Sequence, residues 1–137
     1  MLMTHLLDTS ALLAHYLAEP GAARVQALFE DETVLAGTSV LVLFEFDMRL
    51  HQLGMDDPAR AVQLNGYRAL LHEVVNVDEA VRSKAVGLRI SASARVASVD
   101  VLIAASASLR NATLVHRDPH FAAIPAQWLK QEFLPAK

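Results

Sequence analysis

Met3-Thr4-His5-Leu6-Leu7-Asp8-Thr9-Ser10-Ala11-Leu12-Leu13-Ala14-His15-Tyr16-Leu17 changes its periodicity part-way through. Met3 to Leu7 is a short apolar run that stops at Asp8, the pattern of a buried strand ending at a polar rim. Ser10 to Leu17 then reads as a helix, closed near Glu19-Pro20-Gly21. A strand that hands over directly to a helix is the unit of a parallel sheet, and the chain repeats it.

Ala22 to Phe29 follows as a second helix with Val25, Leu28 and Phe29 on one face, and Glu30-Asp31-Glu32 is an exposed acidic turn. Thr33 to Gly37 reads as the second strand. Thr38 or Ser39 caps the next helix, Val40 to Leu53, which is expected to bury Val40, Leu43, Phe44, Leu50 and Leu53 and to stop at Gly54. Asp57 caps a helix that opens on Pro58 and runs to about Leu71, and Val74, Val75 and Val77 form a third strand. Asp78 caps a fifth helix towards Ser91, and Ser98 caps a sixth, Val99 to Arg110, with Asn111 at its stop. Thr113 to Val115 is a fourth strand, and a segment around Trp128 to Leu134 is an edge strand. This alternation predicts an α/β fold, a three-layer α/β/α sandwich around a mostly parallel sheet of four or five strands, with residues 1–137 as a single domain.

Composition narrows the function classes. At 137 residues and 53% hydrophobic, the chain can bury a core without metal or disulfide staples. It has no cysteine, which removes thiolate catalysis and Cys-ligated zinc. The longest charge-free stretch near the middle, Thr33 to Phe44, is interrupted at Gly37, and the first residues lack a basic leader; no membrane association and a cytoplasmic location are expected. The net charge of −3 is unevenly spread. Residues 1–47 carry seven acids against Arg24 alone, whereas residues 81–117 carry Arg82, Lys84, Arg89, Arg95, Arg110 and Arg117 against Asp100 alone. Such a basic stretch can track a phosphate backbone or be a solvated helix face, and composition does not choose between them.

Four acids stand at element boundaries: Asp8 and Asp118 follow strands, and Glu45 and Asp100 fall in early turns of helices. In an open parallel sheet these positions share one edge, outside the carboxyl ends of the strands. Four carboxylates gathered there repel one another unless a hard divalent cation sits among them. A cation so held lowers the pKa of water and neutralises phosphoryl oxygens, the logic of metal-dependent phosphodiester hydrolysis. Asp47, two residues from Glu45 on a helix, points elsewhere and is assigned a structural use.

The chain resembles the PIN domain family in four places. Leu6-Leu7-Asp8-Thr9-Ser10-Ala11-Leu12-Leu13 is similar to the family's opening motif and Ser39-Val40-Leu41-Val42-Leu43-Phe44-Glu45-Phe46 to its second. Ser98-Val99-Asp100-Val101-Leu102-Ile103-Ala104-Ala105-Ser106-Ala107 is similar to the third, and Thr113-Leu114-Val115-His116-Arg117-Asp118-Pro119-His120-Phe121 to the fourth. A domain this small is most similar to the VapC toxins of toxin–antitoxin pairs. The resemblance implies an endoribonuclease dependent on Mg²⁺ or Mn²⁺, with Asp8, Glu45, Asp100 and Asp118 as catalytic metal ligands. Asp8 and Asp100 are the central pair, Glu45 holds a ligating water or acts as general base, and Asp118 acts through water or a second metal. Thr9 and Ser10 are expected to orient an acid or the attacking water, or else to serve in helix capping. Arg82, Lys84, Arg89, Arg95, Arg117 and His120 are the candidate RNA contacts. The resemblance further implies a homodimer, alone or within a larger toxin–antitoxin assembly, and neutralisation by a small antitoxin with a DNA-binding part; the apolar surface of the two N-terminal helices reads either as core or as a groove for an antitoxin segment.

The chain departs from the family's pattern at two points. His116 stands where a small hydroxyl residue is common, and Pro119 directs Asp118 away from helical backbone angles. Other readings of the same residues are a zinc site built on His116 and His120, a non-catalytic RNA-binding or scaffold domain, a solitary RNA-processing nuclease, and a receiver-like signalling domain. The last expects a pair of acids after the first strand, where Asp8 stands alone.

Overall fold

The computed structural model describes residues 2–137. Five short strands form one sheet: β1 (His5–Leu7), β2 (Ala36–Ser39), β3 (Val74–Val75), β4 (Thr113–His116) and β5 (Gln131–Phe133). Their spatial order is β3-β2-β1-β4-β5, and every pairing is parallel. The helices between them are α1 (Thr9–Tyr16), α2 (Ala22–Glu30), α3 (Val40–Gln52), α4 (Asp57–Leu70), α5 (Glu79–Ser91) and α6 (Ser98–Leu109), with a 3₁₀ turn at Pro119–Ala123. Right-handed crossovers from β1 through β2 to β3 put α1–α4 on one face, and the return from β3 to β4 puts α5 and α6 on the other. Most helix contacts follow this division, α1 against α2 and α3, α3 against α4, and α5 against α6, while α3 also meets α6.

This topology positions the site. Strand order runs outward in one direction from β1 and in the other from β4, so the switch point lies between these two central strands. Leu6, Leu7, Leu114 and Val115 are fully buried there, and the chain leaves β1 at Asp8 and β4 at Arg117. Asp8 N–H donates to the carbonyl of Val115 at 3.0 Å, which sews the two exits together.

Several boundaries and faces differ from the sequence reading. β2 is Ala36–Ser39 rather than 33–37, because Thr33 is bound into a turn by Asp31 Oδ1 (2.8 Å to its N–H) and pairing with β1 begins at Ala36. Ser39 is the cap of α3, as one of the two expected residues. Asp56, not Asp57, caps α4, so Pro58 lies in the second helical position. Ser98 is the first residue of α6 and Ala97 its uncapped start. Val77 is 41% exposed and outside β3.

The largest correction is the phase of α3. Val42, Leu43, Phe46 and Leu50 face the core, whereas Phe44 is 64% and Leu53 46% exposed. From Val40 to Phe46 only Glu45 is polar, so hydrophobicity does not mark a face. Packing does: Phe46 sits edge-on to Tyr16 (5.6 Å between centroids) and Tyr67 (5.3 Å) beneath α1 and α4.

Candidate functional site

Asp8 is the N-cap of α1, and it is almost wholly buried. Its Oδ2 accepts the Ser10 hydroxyl at 2.7 Å and the Ser10 N–H at 3.2 Å. Oδ1 is enclosed and accepts nothing, the only buried side-chain oxygen or nitrogen without a partner among the described residues. Burial pushes the Asp8 carboxyl up to about 6, against the lowering effect of the Ser10 bonds and of the nearby Thr9 N–H, and Glu45 adds to the rise. Asp100, in the first turn of α6, is also pushed up to about 6, first by burial and then by the charges of Asp8, Asp118 and Glu45. The four acids singled out in the sequence therefore share one electrostatic site at the switch point.

Hydrogen bonds hold them apart. Thr9 Oγ1 donates to Glu45 Oε1 at 2.5 Å, linking the start of α1 to α3. Asp118 has extended backbone angles (φ −103°, ψ 113°), as Pro119 requires, and caps the 3₁₀ turn by accepting His120 N–H at 2.9 Å on Oδ1, where the His120 ring also lies at 2.8 Å. Among the described residues no three His, Cys, Asp or Glu side chains form a closed coordination set. The donor chemistry nonetheless fits a hard cation that keeps most of its water. Such an ion takes one or two carboxylate oxygens directly, and a buried, unpartnered carboxylate oxygen among mutually repelling acids supplies one.

Ser10 has a further task that sequence did not disclose. Its Oγ also accepts Arg117 N–H at 3.1 Å, so one hydroxyl ties Asp8 to the exit of β4. Ser10→Ala is expected to cost about 1–2 kcal/mol in a denaturant titration, because it leaves that N–H without its partner and Asp8 without its hydroxyl donor. No loss of stability would remove Ser10 from this role.

His116 is also explained only by the fold. It is fully buried against Phe121 and Phe133, its Nδ1 accepts Asp118 N–H at 3.1 Å, and its Nε2 meets Gln131 Oε1 at 2.9 Å. Burial lowers its pKa, and the neutral ring positions the backbone of Asp118. With both nitrogens engaged, and His120 in the 3₁₀ turn rather than on a shared helix, the zinc reading fails.

The basic stretch divides on inspection. Arg117 is committed to Glu19 and to the Pro20 carbonyl (3.2 Å) and is only 11% exposed, which removes it from the candidate RNA contacts. Arg110 is paired with Glu73 and Arg82 with Glu79, each at 2.8 Å through at least one bond. Lys84 lies 5.4 Å over the Trp128 ring, and Arg89 donates to Ser98 Oγ at 3.1 Å. Arg95 is exposed and beside His120 in a surface cleft. Asp47 pairs with Arg60 at 2.8 Å, the structural use expected of it.

The PIN domain family model matches residues 5–127, a span that contains all four acids. The chain belongs to the PIN domain family. No curated protein sequence matches it. Among solved structures, this PIN domain is similar to a chain of VapBC2 from Rickettsia felis bound to a promoter DNA fragment, at 21% identity and TM-score 0.76, covering 97% of this chain and 100% of that one. It is similar to a chain of FitAcB from Neisseria gonorrhoeae at 22% identity and TM-score 0.72, covering 93% and 96%. A third, VapC20 from Mycobacterium tuberculosis, a toxin that cleaves the sarcin–ricin loop, is 18% identical with TM-score 0.67, covering 88% and 94%. The five-stranded parallel sheet and six helices of this PIN domain match that architecture. No helix among the described residues is long and apolar enough to cross a membrane.

Proposed function

We propose that this PIN domain is a divalent-metal-dependent endoribonuclease and the toxin of a toxin–antitoxin pair. The observation that carries the reading is the buried, unpartnered Oδ1 of Asp8 within a set of carboxylates whose charges add to the raised pKa of Asp8 and of Asp100. A protein leaves a buried acceptor unsatisfied at a cost of about 1–3 kcal/mol unless a ligand completes it. VapC-like neighbours, one of them a sarcin–ricin-loop-cleaving toxin, favour RNA and an antitoxin as the partners.

Asp8 and Asp100 would hold Mg²⁺ or Mn²⁺ directly, with Glu45 and Asp118 reaching it through water. Bound there, the ion supplies charge for the phosphoryl oxygens and a water of lowered pKa. The protein's part is geometric. Ser10 occupies Asp8 Oδ2, so that Oδ1 would be the oxygen left for the ion; Thr9 fixes Glu45 through Oε1, and its other oxygen would accept a proton from an attacking water. His120 and the backbone bond to His116 hold Asp118 at the rim.

Partners of this toxin require apolar surface, and the sequence placed it on the first two helices. Leu12, Val25 and Leu28 are instead consumed in the core. Phe44 and Met48 on α3, and Val86 and Ile90 on α5, are among the exposed apolar residues that an antitoxin or a second copy could cover.

The purified protein is expected to cut single-stranded RNA with Mg²⁺ or Mn²⁺ and not with a chelator. The metal alone should raise the melting temperature, as binding to the folded state requires. Cutting in the presence of chelator would overturn the mechanism; RNA binding without cutting under any metal would favour the scaffold alternative.

A further inference from the structure

Beside the carboxylates lies a cleft of about 310 Å³ formed where the loop between α5 and α6 meets the 3₁₀ turn. Ser93, Arg95, Pro119, His120 and Ala123 contribute to its wall. The two walls are joined: Ser93 N–H donates to the Ala123 carbonyl at 2.9 Å, and the Ser93 hydroxyl reaches the same oxygen at 3.4 Å. His120 links the cleft to the site, because it lines the cleft while its ring contacts Asp118.

Arg95 is the exposed cation of this cleft, and among the described residues its side chain makes no ion pair, hydrogen bond or ring contact. It stands apart from Arg82, Arg110 and Arg117, which are each neutralised by an acid. An unpaired guanidinium at the edge of an acidic site opposes the repulsion between those acids and an incoming phosphate. We propose that Arg95 and this cleft form a subsite for the backbone phosphate next to the scissile one, holding the RNA strand in register with the carboxylates. The proposal rests on the ribonuclease reading and adds to it the residue that registers the strand. A phosphate contact of this kind positions the chain without reading a base.

The test compares the wild type with Arg95→Ala and Arg95→Lys on a single-stranded RNA whose cut site the wild type defines in Mg²⁺. Arg95→Ala should lower kcat/KM about tenfold at low salt with kcat nearly unchanged, and flatten the slope of log kcat/KM against log salt by about 0.7, the loss of one single-strand phosphate contact. Arg95→Lys should restore the salt slope. A neutral methylphosphonate at the phosphate adjoining the cut should weaken the wild type to the same extent and leave Arg95→Ala unaffected. Unchanged melting temperatures confirm that all three are folded. If the wild type cuts RNA and the substitution and the methylphosphonate act additively, the subsite is overturned while the ribonuclease reading stands; if the wild type cuts no RNA, both fall.

Discussion

Asp8→Asn is expected to abolish metal-dependent RNA cleavage, by about a thousandfold or more, and at the same time to make the metal-free protein more stable at neutral pH. The first effect follows from removing a charged ligand of an ion that contributes several kcal/mol to the transition state. The second follows from linkage. Burial pushes the Asp8 carboxyl up to about 6 from its ordinary 3.8, so the folded chain binds this proton more tightly than the unfolded chain does. Stability from this group is therefore full below the unfolded value, falls as pH rises between the two, and is gone above about 6. The difference corresponds to about 3 kcal/mol at pH above about 7, which the neutral amide avoids. Melting in chelator at acid and neutral pH checks the sign. An Asp8→Asn protein less stable than the wild type at neutral pH would contradict the burial of an uncompensated charge. Mg²⁺ should restore the wild type above pH 6 and leave the variant unchanged. Asp100→Asn should lose cleavage to a similar degree, as the second ligand of the proposed site.

Phe46→Ala and Phe44→Ala, two positions apart on α3, should differ sharply in cost. Phe46 is fully buried between Tyr16 and Tyr67, and its truncation leaves a cavity that costs about 3–5 kcal/mol, on the order of 10 °C in melting temperature. Phe44 is 64% exposed, so its truncation should lie within about 0.5 kcal/mol. Equal costs at the two positions would show that α3 is rotated from the phase described. If α3 were so rotated, Glu45 would move with it, and its bond to Thr9 would not form.

The pair also marks what pattern alone conveys. Where polar and apolar residues alternate clearly, as from Asp78 towards Ser91, the cap was legible to the residue and the far end to within the Ser91–Ala94 break. In α3 and β2, apolar and small residues run together, and a strand can slide or a helix rotate without exposing anything obviously polar. Contact with the sheet and with the Tyr16 and Tyr67 rings removed that freedom. The acids were legible for a different reason. Each interrupts an apolar run at the end of an element, and a parallel sheet collects such ends on one side.

The sequence by itself determined the α/β alternation, the PIN domain family and the identity of the four acids, because these depend on local periodicity and on short motifs that survive small errors of boundary. Only the tertiary structure decided how the acids are used. The strand order that places β1 beside β4 brings Asp8 under the Val115 carbonyl and Ser10 against the Arg117 backbone, residues more than a hundred positions apart. That same packing draws Arg117 into an ion pair with Glu19, leaves Arg95 without one among the described residues, and encloses Asp8 Oδ1 without a partner. Burial and pairing are properties of what lies across the fold, and no periodicity along the chain records them.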